Sequence, residues 1–303
     1  MRRAFCDGLM RQAQRREFVF LTGDLGFAAL EPLREAMGSR FLNAGVAEQN
    51  LVGVSAGLAK AGLRPWIYSI APFVYARPFE QIRNDICLHR LPVVIVGNGG
   101  GYGYGVMGAT HHAIEDYGVL LTLPNLTVHV PAFDRDLEFL LPDLFLAPGP
   151  VYLRLGLGEQ PDDVQPPDYQ QWRKLLEGDA GTLIAVGPLA GGYWRELIDV
   201  EVTQRPALWC LCKLPVQRLP DELVHELQRT GRLVIAEEHV AQGSAGHMIM
   251  VELVRLGLAA VSCEHVAAAG YPSGTYGSQR FHRKECLLDA CSMRARFSKE
   301  GAQ

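Results

Sequence analysis

Apolar positions along the chain fall into two alternating rhythms. Short apolar runs bounded by turn residues occupy 18–21, 65–68, 93–97, 127–130 and 151–155, and each predicts a buried strand. Between them, 51–61, 79–88 and 135–144 place their apolar residues at helical spacing. Strand and helix alternating in this way predict a parallel sheet with helices on its faces. Residues 156–168 break the rhythm: Pro161, Pro166 and Pro167 stand there among few large apolar side chains. A second alternation follows, with strands at 182–186, 208–211, 233–236 and 263–267 and helices at 194–201, 221–229, 245–256 and 284–290. The expectation is an α/β protein of two domains, each a mainly parallel sheet flanked by helices. Residues 1–157 form the first, 158–173 a linker and 174–303 the second.

Composition narrows the class. Hydrophobic content of 48% with 20% charged residues describes a water-soluble globular chain. A net charge of −4 leaves no electrostatic footprint for nucleic acid. No apolar run reaches the roughly 18 residues that span a bilayer, and Asp7, Arg11 and Gln12 interrupt the stretch after Met1-Arg2-Arg3, which makes a poor signal peptide. No membrane partner is expected, and cytoplasm is the default compartment. The seven cysteines are odd in number and lack the C-x₂-C zinc spacing, so they read as reduced, buried thiols. Cys210-Leu211-Cys212 lies in a strand-like run, and its two thiols are expected on opposite faces.

The candidate chemistry begins at Gly45-Val46-Ala47-Glu48-Gln49-Asn50. A short strand, 40–43, precedes it and a small-residue helix follows, with Gly45 marking the turn. A carboxylate at this junction, walled by apolar neighbours, is expected to be desolvated and suited to passing a proton to a ring nitrogen and taking it back. The bland alternative is a first-turn glutamate complementing the helix dipole. Asn98 to Gly108, NGGGYGYGVMG, has loose G-x-G spacing but neither a Gly-Lys-Ser/Thr nor a following helix pattern, so it reads as a glycine loop walling a site. His111 and His112 are adjacent in that loop and point apart, which argues against a metal pair.

These segments resemble the transketolase-like, thiamine-diphosphate-dependent enzymes. Gly45 to Gln49 resembles the family's Gly-Ile-Ala-Glu-Gln signature, and Thr22-Gly23-Asp24-Leu25-Gly26 its Gly-x-Asp-Leu strand end. Tyr68 to Arg83 is similar to the segment that packs aromatic rings on the cofactor's aminopyrimidine, Gly108-Ala109-Thr110-His111 to the Gly-Pro-Thr-His substrate loop, and Val234 to His239 to the Val-Glu-Glu strand of the C-terminal domain. The resemblance implies that Glu48 bonds N1′ of the aminopyrimidine and promotes the tautomer that activates the thiazolium carbon. It implies Phe73 or Tyr75 as the stacking ring and Arg77 near the pyrimidine, unless Arg77 pairs with Glu80 one turn on. It also implies Asp24 beside the cofactor, His111 as a catalytic group acting on substrate, and Met107 and Arg154 as substrate contacts, Arg154 matching an arginine that holds a sugar phosphate.

Departures from the family pattern are as informative. Val106-Met107 replaces the acidic pair before the Gly-Pro-Thr-His loop, Gly99 a phosphate-contacting histidine, and Phe27 or Ala28 a serine. A thioether cannot read a hydroxyl as a carboxylate does. The implied reaction is transfer of a two-carbon ketol unit between sugars other than the standard pentose phosphates, and the departures point to a less phosphorylated or deoxygenated substrate such as an activated sugar or a 2-oxo acid donor. The chain also lacks the Gly-Asp-Gly and following Asn that hold Mg²⁺ and the diphosphate; Gly178-Asp179-Ala180-Gly181 lies in the wrong domain. The implied partner is a separate N-terminal, diphosphate-binding subunit carrying the Mg²⁺ ligands in an α₂β₂ assembly. Two alternatives stand beside this: the β subunit of a 2-oxo acid decarboxylating, acyl-transferring enzyme, and a non-catalytic assembly subunit.

Overall fold

Two sheets, each parallel but for one edge strand, carry the chain in a computed structural model that describes residues 1–26, 29–162 and 164–298. The position of Phe27 and Ala28 lies outside the described residues. The strands, in chain order, are β1 (Phe18–Thr22), β2 (Phe41–Asn43), β3 (Arg64–Ile70), β4 (Val94–Asn98), β5 (Thr127–His129), β6 (Val151–Leu155), β7 (Trp172–Leu176), β8 (Thr182–Val186), β9 (Ala207–Leu211), β10 (Lys213–Leu214), β11 (Arg232–Ala236) and β12 (Ser262–Val266). The first sheet runs β10-β5-β6-β4-β3-β1-β2 and the second β12-β11-β8-β9-β7. Among these strands, only β10, against β5, and β7, against β9, are antiparallel. No described helix is long and apolar enough to cross a membrane.

Side-chain alternation sorts each buried strand onto two cores. Phe18 and Phe20 of β1 join Trp66 and Tyr68 of β3 on one face, against Phe5 and Phe145. Val19, Leu21, Ile67 and Ile95 turn to the other face, where the helix Glu48–Lys60 lays down Leu51, Val52, Ala56 and Ala59. Each large side chain buried this way contributes about 1.5–3 kcal/mol.

Several elements differ from the sequence reading. Neither β7 nor β10 is expected from hydrophobicity, because Arg173 and Lys174 disguise the first and the second is two residues long. The helix expected at 194–201 begins earlier, as Leu189–Leu197. The one expected at 284–290 is instead two, Gln279–Glu285 and Ala290–Arg296, parted where Leu287 takes a left-handed φ of 55°. The stretch 79–88 is one α turn, Phe79–Gln81, leading into a π-helical segment, Ile82–Cys87. An unanticipated helix, Arg2–Met10, packs near the start. The two thiols of Cys210 and Cys212 lie on one side, with sulfurs 3.3 Å apart, because residues two apart on a strand share a face.

The two sheets are locked together by buried polar groups. β10, from the second unit, pairs with β5 of the first, Leu214 opposite Val128. Asp136 accepts both guanidinium nitrogens of Arg173 on β7, at 2.7 and 2.8 Å. The same carboxylate accepts the backbone N–H groups of Ala132 and Phe133 at 2.8 and 3.0 Å. Glu237, at the end of β11, accepts the Tyr117 hydroxyl, the Ala245 and Gly246 amides at 3.0 and 2.7 Å, and His265 at 2.7 Å. His239 stacks on Tyr117 at a centroid distance of 3.9 Å. Its Nδ1–H donates to the Val240 carbonyl and its Nε2 accepts the Gly118 N–H at 3.0 Å, an arrangement that requires the neutral ring.

The seam can be probed by mutation and by acid. Removing one partner of a buried ion pair strands the other, so Asp136→Ala is expected to cost about 3–5 kcal/mol in urea unfolding. A loss below about 1 kcal/mol would show that the pair is idle. As for acid, burial pushes the imidazoles of His112, His129, His239 and His282 below the ordinary value of 6.5, His129 to about 3. The unfolded chain therefore takes up protons first as pH falls. Stability present above about 6.5 is lost between that value and the lowered folded values, at up to about 1.4 kcal/mol per pH unit for each ring. Glu115, pushed up by burial, opposes this with one carboxyl against the four histidines. Unfolding free energy is expected to fall steadily from pH 7 to pH 5, with a shallower slope in His239→Gln. A flat profile above pH 5 would contradict the assignment.

Candidate active site

The carboxyl ends of β1, β3 and β4 meet at one edge of the first sheet, the place where open parallel sheets bind ligands. Gly45, with φ of 71°, turns the chain out of β2 and into the helix Glu48–Lys60. A side chain at that turn would force the left-handed backbone on a residue that resists it. Glu48 is the first helical residue, and its side chain is only 4% exposed. The surroundings are not wholly apolar, as the sequence suggested: Arg77 Nη1 donates to Glu48 Oε1 at 2.8 Å. The same guanidinium lies 3.8 Å from the centroid of the Phe73 ring, the range of a cation–π contact. Phe73 in turn meets the His111 ring at 5.2 Å, and Tyr104 flanks His111 at 5.9 Å. Thr110 Oγ1 lies 2.9 Å from His111 Nδ1. Glu48, Arg77, Phe73 and His111 thus form one unbroken line of contacts, and the carboxylate that Arg77 engages is that of Glu48, not that of the alternative partner Glu80.

Asp24 sits beside this line on the end of β1, with φ of 61°. Asn43 holds it, donating from Nδ2 to Asp24 Oδ1 at 2.9 Å. Asn43 Oδ1 accepts the N–H groups of Asp24 and Gly45, both at 3.0 Å, which ties β1, β2 and the Gly45 turn together. A cavity of about 120 Å³ lined by Thr22, Asp24, Leu25, Arg34, Phe41 and Asn43 opens alongside. Asn43 was missed from sequence, although its place before the Gly-x-Ala-Glu turn was a usable signal.

Tyr75 takes no part in the line of contacts. It is buried in the core with Val74, and its hydroxyl lies 3.5 Å from Glu115 Oε2. Of the two candidate rings, Phe73 is the one in contact with Arg77 and His111. Met107 and Val106 stand on the turn Gly105–Met107, 53% and 71% exposed. The ring of Tyr276 lies over Gly108, 2.7 Å from where a Cβ would stand, so the second unit reaches the loop carrying His111.

Arg154, at the carboxyl end of β6, is buried in the seam, where it lines a small cavity with Gly100, Glu238, Gln279 and Arg283. Its Nε donates to Asp116 Oδ2 at 2.8 Å, and its Nη2 to the carbonyls of Ala113 and Glu238, both at 2.9 Å. Asp116 also accepts the Tyr152 hydroxyl at 2.8 Å. A guanidinium so engaged brackets the two units. His112 is likewise structural: Nε2–H donates to the Gly105 carbonyl at 2.7 Å and Nδ1 accepts the Tyr271 hydroxyl at 2.9 Å. Glu238 accepts the Tyr102 amide at 2.6 Å, Gln279 at 2.8 Å and Arg283 at 2.8 Å, pinning the glycine loop from the second unit.

The mouth offers a buried carboxylate, an aromatic face capped by a guanidinium, and a half-exposed imidazole. Such a set suits a flat heteroaromatic ring that exchanges a proton at one edge, with a reacting group toward the imidazole.

Known proteins share this organisation. Residues 1–159 match the family described as transketolase, pyrimidine binding domain. Over 265 residues the chain is 32% identical to one of the subunits of the apulose-4-phosphate transketolase of Phocaeicola vulgatus, covering 83% of each. It is 32% identical over 277 residues to 1-deoxy-D-xylulose-5-phosphate synthase 1 of Geobacter metallireducens, covering 88% of this chain and 43% of that one. A solved split-gene transketolase, described as an inactive beta4 tetramer, superposes with a TM-score of 0.83 at 29% identity, covering 98% of this chain and 96% of that one. The chain therefore spans most of a split subunit and less than half of the Geobacter enzyme.

Proposed function

Since this chain belongs to the transketolase family and resembles its split subunits along nearly its whole length, we propose that it completes a thiamine-diphosphate site with a separate diphosphate-binding subunit. The observation that carries the reading is the buried Glu48 at the strand-end mouth, in line with Phe73, Arg77 and His111. The residues fit an aminopyrimidine: the carboxylate matches its ring nitrogen, and the Phe73 face matches its plane. Thiamine diphosphate, when bound, supplies a carbon nucleophile that no side chain can provide. Glu48 exchanges the proton at N1′, and Arg77 holds that carboxylate from the solvent side. Phe73 keeps the ring flat. Asp24, fixed by Asn43, lines the neighbouring cavity. His111 donates to or takes a proton from the substrate oxygen. Mg²⁺, which needs hard oxygen ligands, is assigned with the diphosphate to the partner.

The reaction is transfer of a two-carbon ketol unit from a ketose donor to an aldose acceptor. The engagement of Arg154 within the seam adds to the losses at Gly99 and Val106-Met107, and supports substrates other than the standard pentose phosphates. Apulose 4-phosphate, named for the Phocaeicola relative, is the first donor to try. Val46 is 73% exposed just before Glu48, and Val54 is exposed on the same helix; apolar surface beside the mouth supports coverage by a partner in an α₂β₂ assembly. A second reading, acyl transfer from a 2-oxo acid, is favoured by the exposed thioether and isopropyl groups of Met107 and Val106, which suit a methyl-bearing donor. Release of CO₂ separates the two.

Calorimetric titration with thiamine diphosphate and Mg²⁺ is expected to show tight binding only when the partner is present. In the mixture, Glu48→Ala is expected to lower turnover by about 10²–10⁴-fold, the range of a lost acid–base group. Unchanged turnover in that variant would sink the reading.

A further inference from the structure

Ser69, on β3, is fully buried, and its hydroxyl has no hydrogen-bond partner among the described residues. Buried hydroxyls are nearly always bonded, so an unbonded one needs a reason. Its location supplies one. The register pairs Thr22 with Tyr68 and Ser69 with Gly97, which sets Gly23, Ser69 and Gly97 in one row across the ends of β1, β3 and β4. Ser69 follows Ile67 by two, so it faces the side on which the helix Glu48–Lys60 packs.

Gly23 leaves an opening in that row. A Cβ built there would stand 3.6 Å from the Gly45 carbonyl oxygen, 3.8 Å from Ser69 Oγ and 4.0 Å from Glu48 Oε1. These are ordinary van der Waals contacts, and Gly23 is not among the residues with positive φ. The fold therefore accepts a methyl at this position. Three oxygens facing the place where it would sit describe a polar slot, and one of them belongs to the carboxylate that the proposed mechanism uses.

Resting on the proposed function above, we infer that Ser69 is a positioning residue for Glu48. In the loaded site its O–H donates to the Glu48 carboxylate across the opening at Gly23, while the other carboxylate oxygen meets the ring nitrogen. A hydroxyl that the fold leaves unbonded is then bonded in the state that works. Arg77 reaches the carboxylate from the exposed side and Ser69 from the buried side, so the two fix its plane between them.

The test uses the complete assembly with its partner subunit, thiamine diphosphate and Mg²⁺. Before the cofactor is added, the Ser69→Ala assembly is expected to melt at the same temperature as wild type or slightly higher, since in that state the change removes an unbonded polar group. Its affinity for thiamine diphosphate stays within about threefold, because the ring and diphosphate contacts remain. Hydrogen–deuterium exchange at the thiazolium C2 of the bound cofactor, followed by NMR, slows by about tenfold, the loss expected for one hydrogen bond to a charged group. Gly23→Ala keeps its Tm and slows the C2 exchange to a similar extent, because the methyl stands between the Ser69 hydroxyl and the Glu48 carboxylate. Wild-type exchange in Ser69→Ala would overturn the inference, as would a marked fall in its Tm, which would make the hydroxyl structural. Failure of the wild-type assembly to bind thiamine diphosphate would instead overturn the function on which the inference rests.

Discussion

The buried Arg154–Asp116 pair governs the rest of the structure. Taking both charges out of water is costly, and the arrangement is held by the bonds that converge on one Asp116 oxygen, Oδ2, and on the Arg154 guanidinium. Asp116 accepts Arg154 and Tyr152; Arg154 reaches on to two carbonyls, one on the loop before Asp116 and one at the end of β11. That last contact matters most. It fixes the second unit against the loop that runs from the glycines at 99–101 to His111 and His112. Glu238 grips the same loop through the Tyr102 amide. The imidazole of His111 is therefore placed by polar groups well behind it, and the mouth inherits its geometry from the seam.

The architecture was legible wherever one rhythm ruled. Strands buried on both faces, such as β1, β6 and β8, read directly as apolar runs, and the helix beginning at Glu48 read from its small residues and the glycine before it. Legibility failed where burial was achieved by pairing instead of apolarity. Arg173 lies inside β7 with its charge matched by Asp136, so the expected linker, 158–173, ran into the first two residues of the strand. A two-residue strand such as β10 has too little pattern to see at all.

The candidate site divides along the same line. Glu48, Phe73, Arg77 and His111 were found from local motifs, and the structure brings them together. Arg154 was found from its motif too, yet its role depends on Asp116, Ala113 and Glu238, which are distant in sequence. A sequence shows that an arginine ends a strand; only the fold shows what stands opposite. Tyr75 illustrates the converse. It lies two residues from Phe73 on the helix Ala71–Ala76, and a rotation of about 200° about the helix axis sends the two rings to different sides.

The antiparallel strand β10 has a consequence for how such subunits can be recombined. Because residues 213 and 214 complete the edge of the first sheet, the boundary in sequence and the boundary in space do not coincide. A chimera joined within 158–173, with its second half drawn from a distant relative, would have to bring a matching edge strand with it. Without one, the backbone of β5 would be left as an open edge, ready to capture a strand from another molecule. Modular exchange in this architecture is thus limited by a two-residue strand as much as by the chemistry of the mouth.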